Sequence, residues 1–175
     1  MSTYLPVEIV GIRIELPTNT PVMLLREQGG QRHLPIWIGP NEATAIALAL
    51  EGIESQRPMT HDLLSEVIRK LSFDLTEVVV TGLESGTFFA ELHLNKIGED
   101  PVVISARPSD AIALATRLGA QVTVAEAVLD EAGILIQEEP ETEDADQEIE
   151  RFREFLADIN PDDFGEGHEH PSSSS

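Results

Sequence analysis

The chain has 175 residues, no cysteine and a formal charge of -21, a length that suits one well-buried domain with an appendage. The absence of cysteine excludes disulfides and thiolate metal sites. The acidity argues against a tight nucleic-acid binder that needs no metal, because such binding is driven by Lys and Arg displacing counterions; it does not exclude a nuclease, since carboxylates that hold divalent metal are acidic until loaded.

The charge is unevenly placed. Residues 1–136 hold 9 Lys and Arg against 18 Asp and Glu, whereas residues 137–175 hold 2 against 14. The first twenty residues do not pair a basic start with a long apolar stretch, and the apolar run after Thr44 ends at Glu51, far short of the ~20 residues that cross a bilayer. The expected setting is cytoplasmic, with no membrane span.

In chain order, "YLPVEIVGIRIEL" alternates apolar and other residues but slips in phase at Gly11, as either two faces or a bulge at the glycine would explain. "PVMLLRE" and "RHLPIWIG" flank "QGGQ", a hairpin signal. Pro40 stands where a first helical turn begins and Gly52 where a helix stops, so 40–51 reads as an alanine-rich helix. A second helix covers 60–71, with Thr60 as its N-cap and Leu63, Leu64, Val67, Ile68 and Leu71 on one apolar face.

"DLTEVVVTGLESGTFFAELHL" reads as two long strands around Glu84-Ser85-Gly86. "PVVISA" adds a strand, "RPSDAIALATRLG" a helix closed by Gly119, "QVTVAE" a last strand, and 127–132 a short helix. Strands and helices in this irregular order predict an α+β domain over 1–136, a mostly antiparallel sheet packed with three main helices.

Residues 137–146, "QEEPETEDAD", form an acidic linker by composition. Within 147–164, Ile149, Phe152, Leu156 and Ile159 fall at helical spacing and predict an amphipathic appendage that seeks a protein partner. Residues 165–175 read as a disordered tail; its His168-Glu169-His170 is a weak divalent-ion motif.

The pentapeptide AIALA occurs at 45–49 and again at 111–115. Aligned on their prolines, Gly39-Pro40-Asn41-Glu42 and Arg107-Pro108-Ser109-Asp110 put Glu42 and Asp110 at the third helical position. Carboxylates there are stabilised by unpaired N–H groups and the helix dipole at about 0.3–1 kcal/mol, so plain helix stabilisation accounts for each acid alone. "RPMTHDLL" opens another helix with Arg57, Thr60, His61 and Asp62.

If these starts converge, Glu42, His61, Asp62 and Asp110 would act as acid, base or metal ligands, with Glu42, Asp62 and Asp110 holding Mg²⁺ or Mn²⁺. Arg57, Thr60, Arg107 and Ser109 would contact an anionic substrate. Capping or surface roles compete at every one of these positions. His33 and His93 read as sheet-face residues and Trp37 as core or interface. No Walker loop, dinucleotide glycine fingerprint, HExxH or GxSxG occurs.

The order "LPIWIGPNEATAIALALEG", "RPMTHDLLSEVIRKL", "SGTFFAEL", "ARPSDAIALATRLGA" and "VAEAVLDEAGI" resembles the bifunctional nuclease domain family, also known as domain of unknown function family 151. The resemblance covers about residues 4–136. It implies a self-associating α+β domain, cleavage of DNA and RNA, and a site built from Glu42, Arg57, Thr60, His61, Asp62, Arg107, Ser109 and Asp110.

Two functions are therefore in play. One is a metal-dependent nuclease whose nucleic-acid binding is weak or metal-dependent. The alternative is a non-catalytic oligomeric binding or regulatory protein whose acidic tail docks a protein partner, favoured by the absence of a basic stripe.

Overall fold

The computed structural model describes residues 3–136. The expected linker, appendage and tail over 137–175 lie outside the described residues. Apolar alternation opens the chain into three antiparallel strands, β1 (Tyr4–Glu15), β2 (Thr20–Glu27) and β3 (Arg32–Trp37). The phase slip at Gly11 is a bulge, since the β1–β2 register shifts between Ile9 and Gly11.

Two helices follow, α1 (Pro40–Leu50) and α2 (Thr60–Lys70). Next come β4 (Asp74–Glu84), β5 (Thr87–Asn95), β6 (Val102–Ala106), α3 (Pro108–Leu118), β7 (Gln121–Ala125), α4 (Glu126–Ala132) and β8 (Ile134–Leu135). All strands join one sheet in the order β6-β5-β4-β7-β1-β2-β3-β8. Every neighbouring pair is antiparallel except β4 with β7. This is the expected α+β architecture.

One face of the sheet builds the core. Met23, Leu25, Leu34, Ile36, Val78, Val80, Val122 and Val124 cluster with Ile46, Ile112, Leu114 and Leu129 from the helices. The two AIALA segments explain how the helices fit. Ala43, Ala45 and Ala47 of α1 and Ala111, Ala113 and Ala115 of α3 are all buried, and α1 packs directly on α3. Alanine side chains let two helix backbones approach closely, so the repeat is a packing device that sets the two helix starts side by side.

Helix α2 departs from expectation. Of its five-residue apolar face only Ile68 enters the core; Leu63, Leu64, Val67 and Leu71 are exposed. The inward side carries His61, Ser65 and Ile68, spaced i, i+4, i+7, and α2 packs chiefly on α3. Ser65 is tolerated there because its hydroxyl donates to the His61 carbonyl at 2.8 Å.

Three smaller expectations resolve. Thr60 is the first residue of α2 and not its cap; Met59 holds the cap position, and its N–H donates to Asp62 Oδ2 at 3.0 Å. Trp37 is exposed and donates Nε1–H to Glu15 at 2.8 Å. His33 and His93 do lie in strands, His33 buried in β3 and His93 beside Glu91 on β5.

Candidate functional site

The starts of α1, α2 and α3 are joined by one chain of charged hydrogen bonds. In α1 and α3 a proline occupies the first turn, and an extended residue, Gly39 or Arg107, precedes it. Glu42 and Asp110 thus stand at equivalent third positions. At α1 the Glu42 carboxylate folds back over Gly39: a Cβ there would stand 2.2 Å from Glu42 Oε2, so a larger residue would displace that side chain.

Arg107 bridges the two acids. Its Nη2 donates to Glu42 Oε1 at 2.8 Å, and its Nε donates to Asp110 Oδ2 at 2.7 Å. A second Nη2 contact to Asp110 Oδ1 spans 3.1 Å. His61, from α2, places Nε2 2.9 Å from that same Oδ1. Glu42, Arg107, Asp110 and His61 are therefore one connected group, as a convergent site requires.

Electrostatics fix the charge states of two members. Burial pushes the Asp110 carboxyl up, but hydrogen bonds from Arg107 and then His61 outweigh it and hold the group below the usual carboxylate range. Hydrogen bonds to Asp110 and then Glu42 raise Arg107 further above its already high value. With Asp110 ionised, His61 Nε2 must be the donor, so a neutral imidazole carries its proton on Nε2 and a lone pair on Nδ1.

Two polar groups of the cluster remain unused among the described residues. His61 Nδ1 makes no hydrogen bond, and the Arg107 Nη1 N–H groups make none, on a side chain that is 65% exposed. An imidazole lone pair and a free guanidinium edge suit proton removal and phosphate contact respectively.

Asp62 belongs to a different pair. Its Oδ1 accepts from Arg117 Nε at 2.6 Å. Burial raises this carboxyl, and hydrogen bonds from Arg117 and the Met59 backbone lower it below the ordinary range. Arg117, only 10% exposed, also donates to the carbonyls of Ala113 at 2.9 Å and Ala45 at 3.0 Å. One guanidinium thus ties α1, α2 and α3 together.

Sequence reasoning passed over Arg117. The available signal was a lone cation in the last turn of an otherwise buried alanine helix, where a charge survives only with partners.

The three carboxylates expected to hold Mg²⁺ or Mn²⁺ do not meet as a donor set. Glu42 and Asp110 share Arg107 while Asp62 takes Arg117. Among the described residues no three of His, Cys, Asp or Glu gather in a way that could hold a metal ion. As arranged, these residues do not fit the ion. Of the other expected residues, Ser109 is buried in the first turn of α3, Thr60 is exposed at the start of α2, and Arg57 is exposed in the connection before it.

No helix among the described residues is long and apolar enough to cross a membrane. The profile of the bifunctional nuclease domain matches residues 23–137. An uncharacterized protein of Mycobacterium tuberculosis strain H37Rv is 49% identical over 162 residues, covering 90% of this chain and 96% of that protein. Bifunctional nuclease 2 of Arabidopsis thaliana is 31% identical over 58% of this chain and 32% of its own length. Bifunctional nuclease 2 of Oryza sativa subsp. japonica is 29% identical over 55% and 31%.

Proposed function

Because this chain belongs to the bifunctional nuclease domain family, we propose that it hydrolyses phosphodiester bonds of DNA or RNA at the group formed by Glu42, Arg107, Asp110 and His61. The observation that carries the reading is the His61–Asp110 contact of 2.9 Å, which leaves the second ring nitrogen without a partner among the described residues. A histidine oriented by a carboxylate is the arrangement of a general base.

Asp110 fixes the tautomer and stabilises the imidazolium that forms. Nδ1 takes a proton from water, the water oxygen bonds to phosphorus, and the phosphorus bond to the leaving sugar oxygen breaks. The proton held on the ring then returns to that leaving oxygen. Arg107 offers Nη1 to a non-bridging phosphate oxygen while Glu42 and Asp110 hold its other edge. Arg57 and Thr60, exposed ahead of and at the start of α2, would contact the neighbouring backbone.

The test incubates the full chain with labelled single-stranded DNA and RNA in Mg²⁺, Mn²⁺ or EDTA. Asp110→Asn and His61→Ala, with circular dichroism matching the parent, serve as controls against contaminating nucleases. Loss of a general base and its orienting carboxylate lowers the rate by about 10²–10⁴-fold, and cleavage persists in EDTA. Cleavage that needs metal would mean that Asp62 or Asp110 leaves its arginine to become a ligand, which sinks the metal-free step.

A second reading rests on the same ion pairs. All three acids already have arginine partners, as residues that only brace helix starts would. Cleavage equal in parent and variants would select it and turn the search to a binding or regulatory role.

A further inference from the structure

We propose that the cavity between the β2–β3 turn and β8 binds a small, uncharged, planar ring molecule that donates a ring N–H to His33, the chemistry of a free cyclic amide such as uracil. The cavity has a volume of about 780 Å³, within the ~300–1,000 Å³ range of small-molecule sites. Cross-strand register builds its wall. Glu8 stands opposite Arg26, Arg26 opposite His33, and His33 opposite Ile134, so these side chains form one row on one face of the sheet. The turn glycines Gly29 and Gly30 and the apolar Leu135 and Ile136 also line it.

His33 sets the chemistry of the ligand. The residue is 6% exposed, and its Nδ1 stands 3.1 Å from the Gln31 carbonyl. A carbonyl only accepts, so in the neutral ring Nδ1 carries the proton and Nε2 the lone pair. Nε2 makes no hydrogen bond among the described residues, where every side-chain nitrogen or oxygen sealed from solvent has a partner. This atom is therefore the part of the ring that opens into the cavity, and a nearly buried acceptor is best satisfied by an N–H donor. A charged ligand finds no counterpart: Glu8 is paired with Arg26, and Glu27 with Arg32 at 2.7 and 2.8 Å. Leu135, 72% exposed, offers the ring an apolar contact. The length of β3, roughly 17 Å at ~3.3 Å per residue, separates this cavity from the start of α1, so it is distinct from the group around Asp110.

The test titrates the ¹⁵N-labelled full chain with uracil and, separately, with 1,3-dimethyluracil, which keeps the planar ring but has no N–H. Amide shifts in the ¹H–¹⁵N spectrum locate the binding. Uracil is expected to give saturable shifts at Gly29, Gly30, Gln31 and His33, and 1,3-dimethyluracil to bind at least about fivefold more weakly. His33→Phe keeps a ring and removes the acceptor, and should weaken uracil by a similar factor. Leu135→Asp, at an exposed position that the fold does not need, should weaken it as well by charging the apolar wall.

No saturable shift with uracil overturns the proposal, as do shifts that spare the turn. Equal affinity for uracil and 1,3-dimethyluracil overturns the donor contact to His33. Inorganic phosphate shifting the same amides more strongly would make the cavity an anion site, and an oligouridylate binding more tightly than uridine would assign it to a base within a strand; either result overturns the reading of a free, uncharged ligand. None of these readouts depends on nuclease activity.

Discussion

Replacing Arg117 by methionine removes a cation but keeps most of the apolar stem, so the change isolates the guanidinium contacts. The bond to Asp62 at 2.6 Å is charge-assisted, and such bonds contribute about 1.5–3 kcal/mol. Asp62 is 33% exposed, and water in the variant replaces part of the lost contact, which places its share near the lower end, about 1.5 kcal/mol. The two carbonyl acceptors, Ala45 and Ala113, sit inside helices whose own N–H groups still bond them, so each loses only a second donor, about 0.5 kcal/mol.

The sum, about 2–3 kcal/mol, lowers Tm by roughly 5–15 °C in a domain of this size. Urea denaturation followed by far-ultraviolet circular dichroism reads it, with Asp62→Asn and the double variant completing a cycle. Because both residues belong to one contact, the double variant should cost clearly less than the two single losses added together. A loss below about 0.5 kcal/mol for Arg117→Met, typical of a plain surface change, or strict additivity in the cycle, would refute the claim that this guanidinium braces the three helices.

Acid should act on the same elements. Asp62 and Asp110 are both held below the ordinary carboxylate range, so the folded chain binds protons there less readily than the unfolded one. Their stabilisation is complete above the unfolded value, about pH 4, and disappears as pH falls through the lowered values. Urea midpoints measured from about pH 6 to pH 3 should therefore fall below about pH 4, and less steeply in Asp110→Asn; an unchanged slope in that variant would refute the assignment. Gly119 closes α3 at φ 72° with no atom within 4 Å of a Cβ built there. Gly119→Ala should thus cost about 1 kcal/mol through the backbone alone, and Gly119→Asn less, since asparagine tolerates that conformation; equal Tm losses would contradict it.

The parts of this fold that are local were legible in the sequence. Pro40 and Pro108 mark helix starts because a missing N–H costs nothing there, and the third-position acids follow by counting. Gly11 shows its bulge because strand alternation has period two and a slip is visible. The Glu42–Arg107 and His61–Asp110 contacts bring together residues 65 and 49 positions apart, and no spacing rule predicts such distances. The family resemblance supplied that grouping; the residues alone supplied only the question.

Two features defeated pattern reading. An amphipathic helix is assumed to bury its apolar side, yet α2 turns His61 and Ser65 inward, where His61 meets Asp110 and Asp62 meets Arg117. Asp62 looked equivalent to Glu42 and Asp110 as an acid in a first turn. Its side chain diverged because the partner that claims it, Arg117, stands at the far end of α3, where sequence gives no hint of reach.

The placement of β7 has a consequence for how the chain comes together. This strand lies between β1, with Tyr4 opposite Ala125, and β4, with Val80 opposite Val124, so it is the seam that unites β1–β2–β3 with β4–β5–β6. A nascent chain extending only to Leu118 already contains Glu42, His61, Arg107, Asp110 and Arg117. It has no strand to hold the two half-sheets at a fixed distance, and contacts of such long sequence separation form late. β7 is therefore the strand whose pairing on both sides closes the single sheet on which the three helix starts rest.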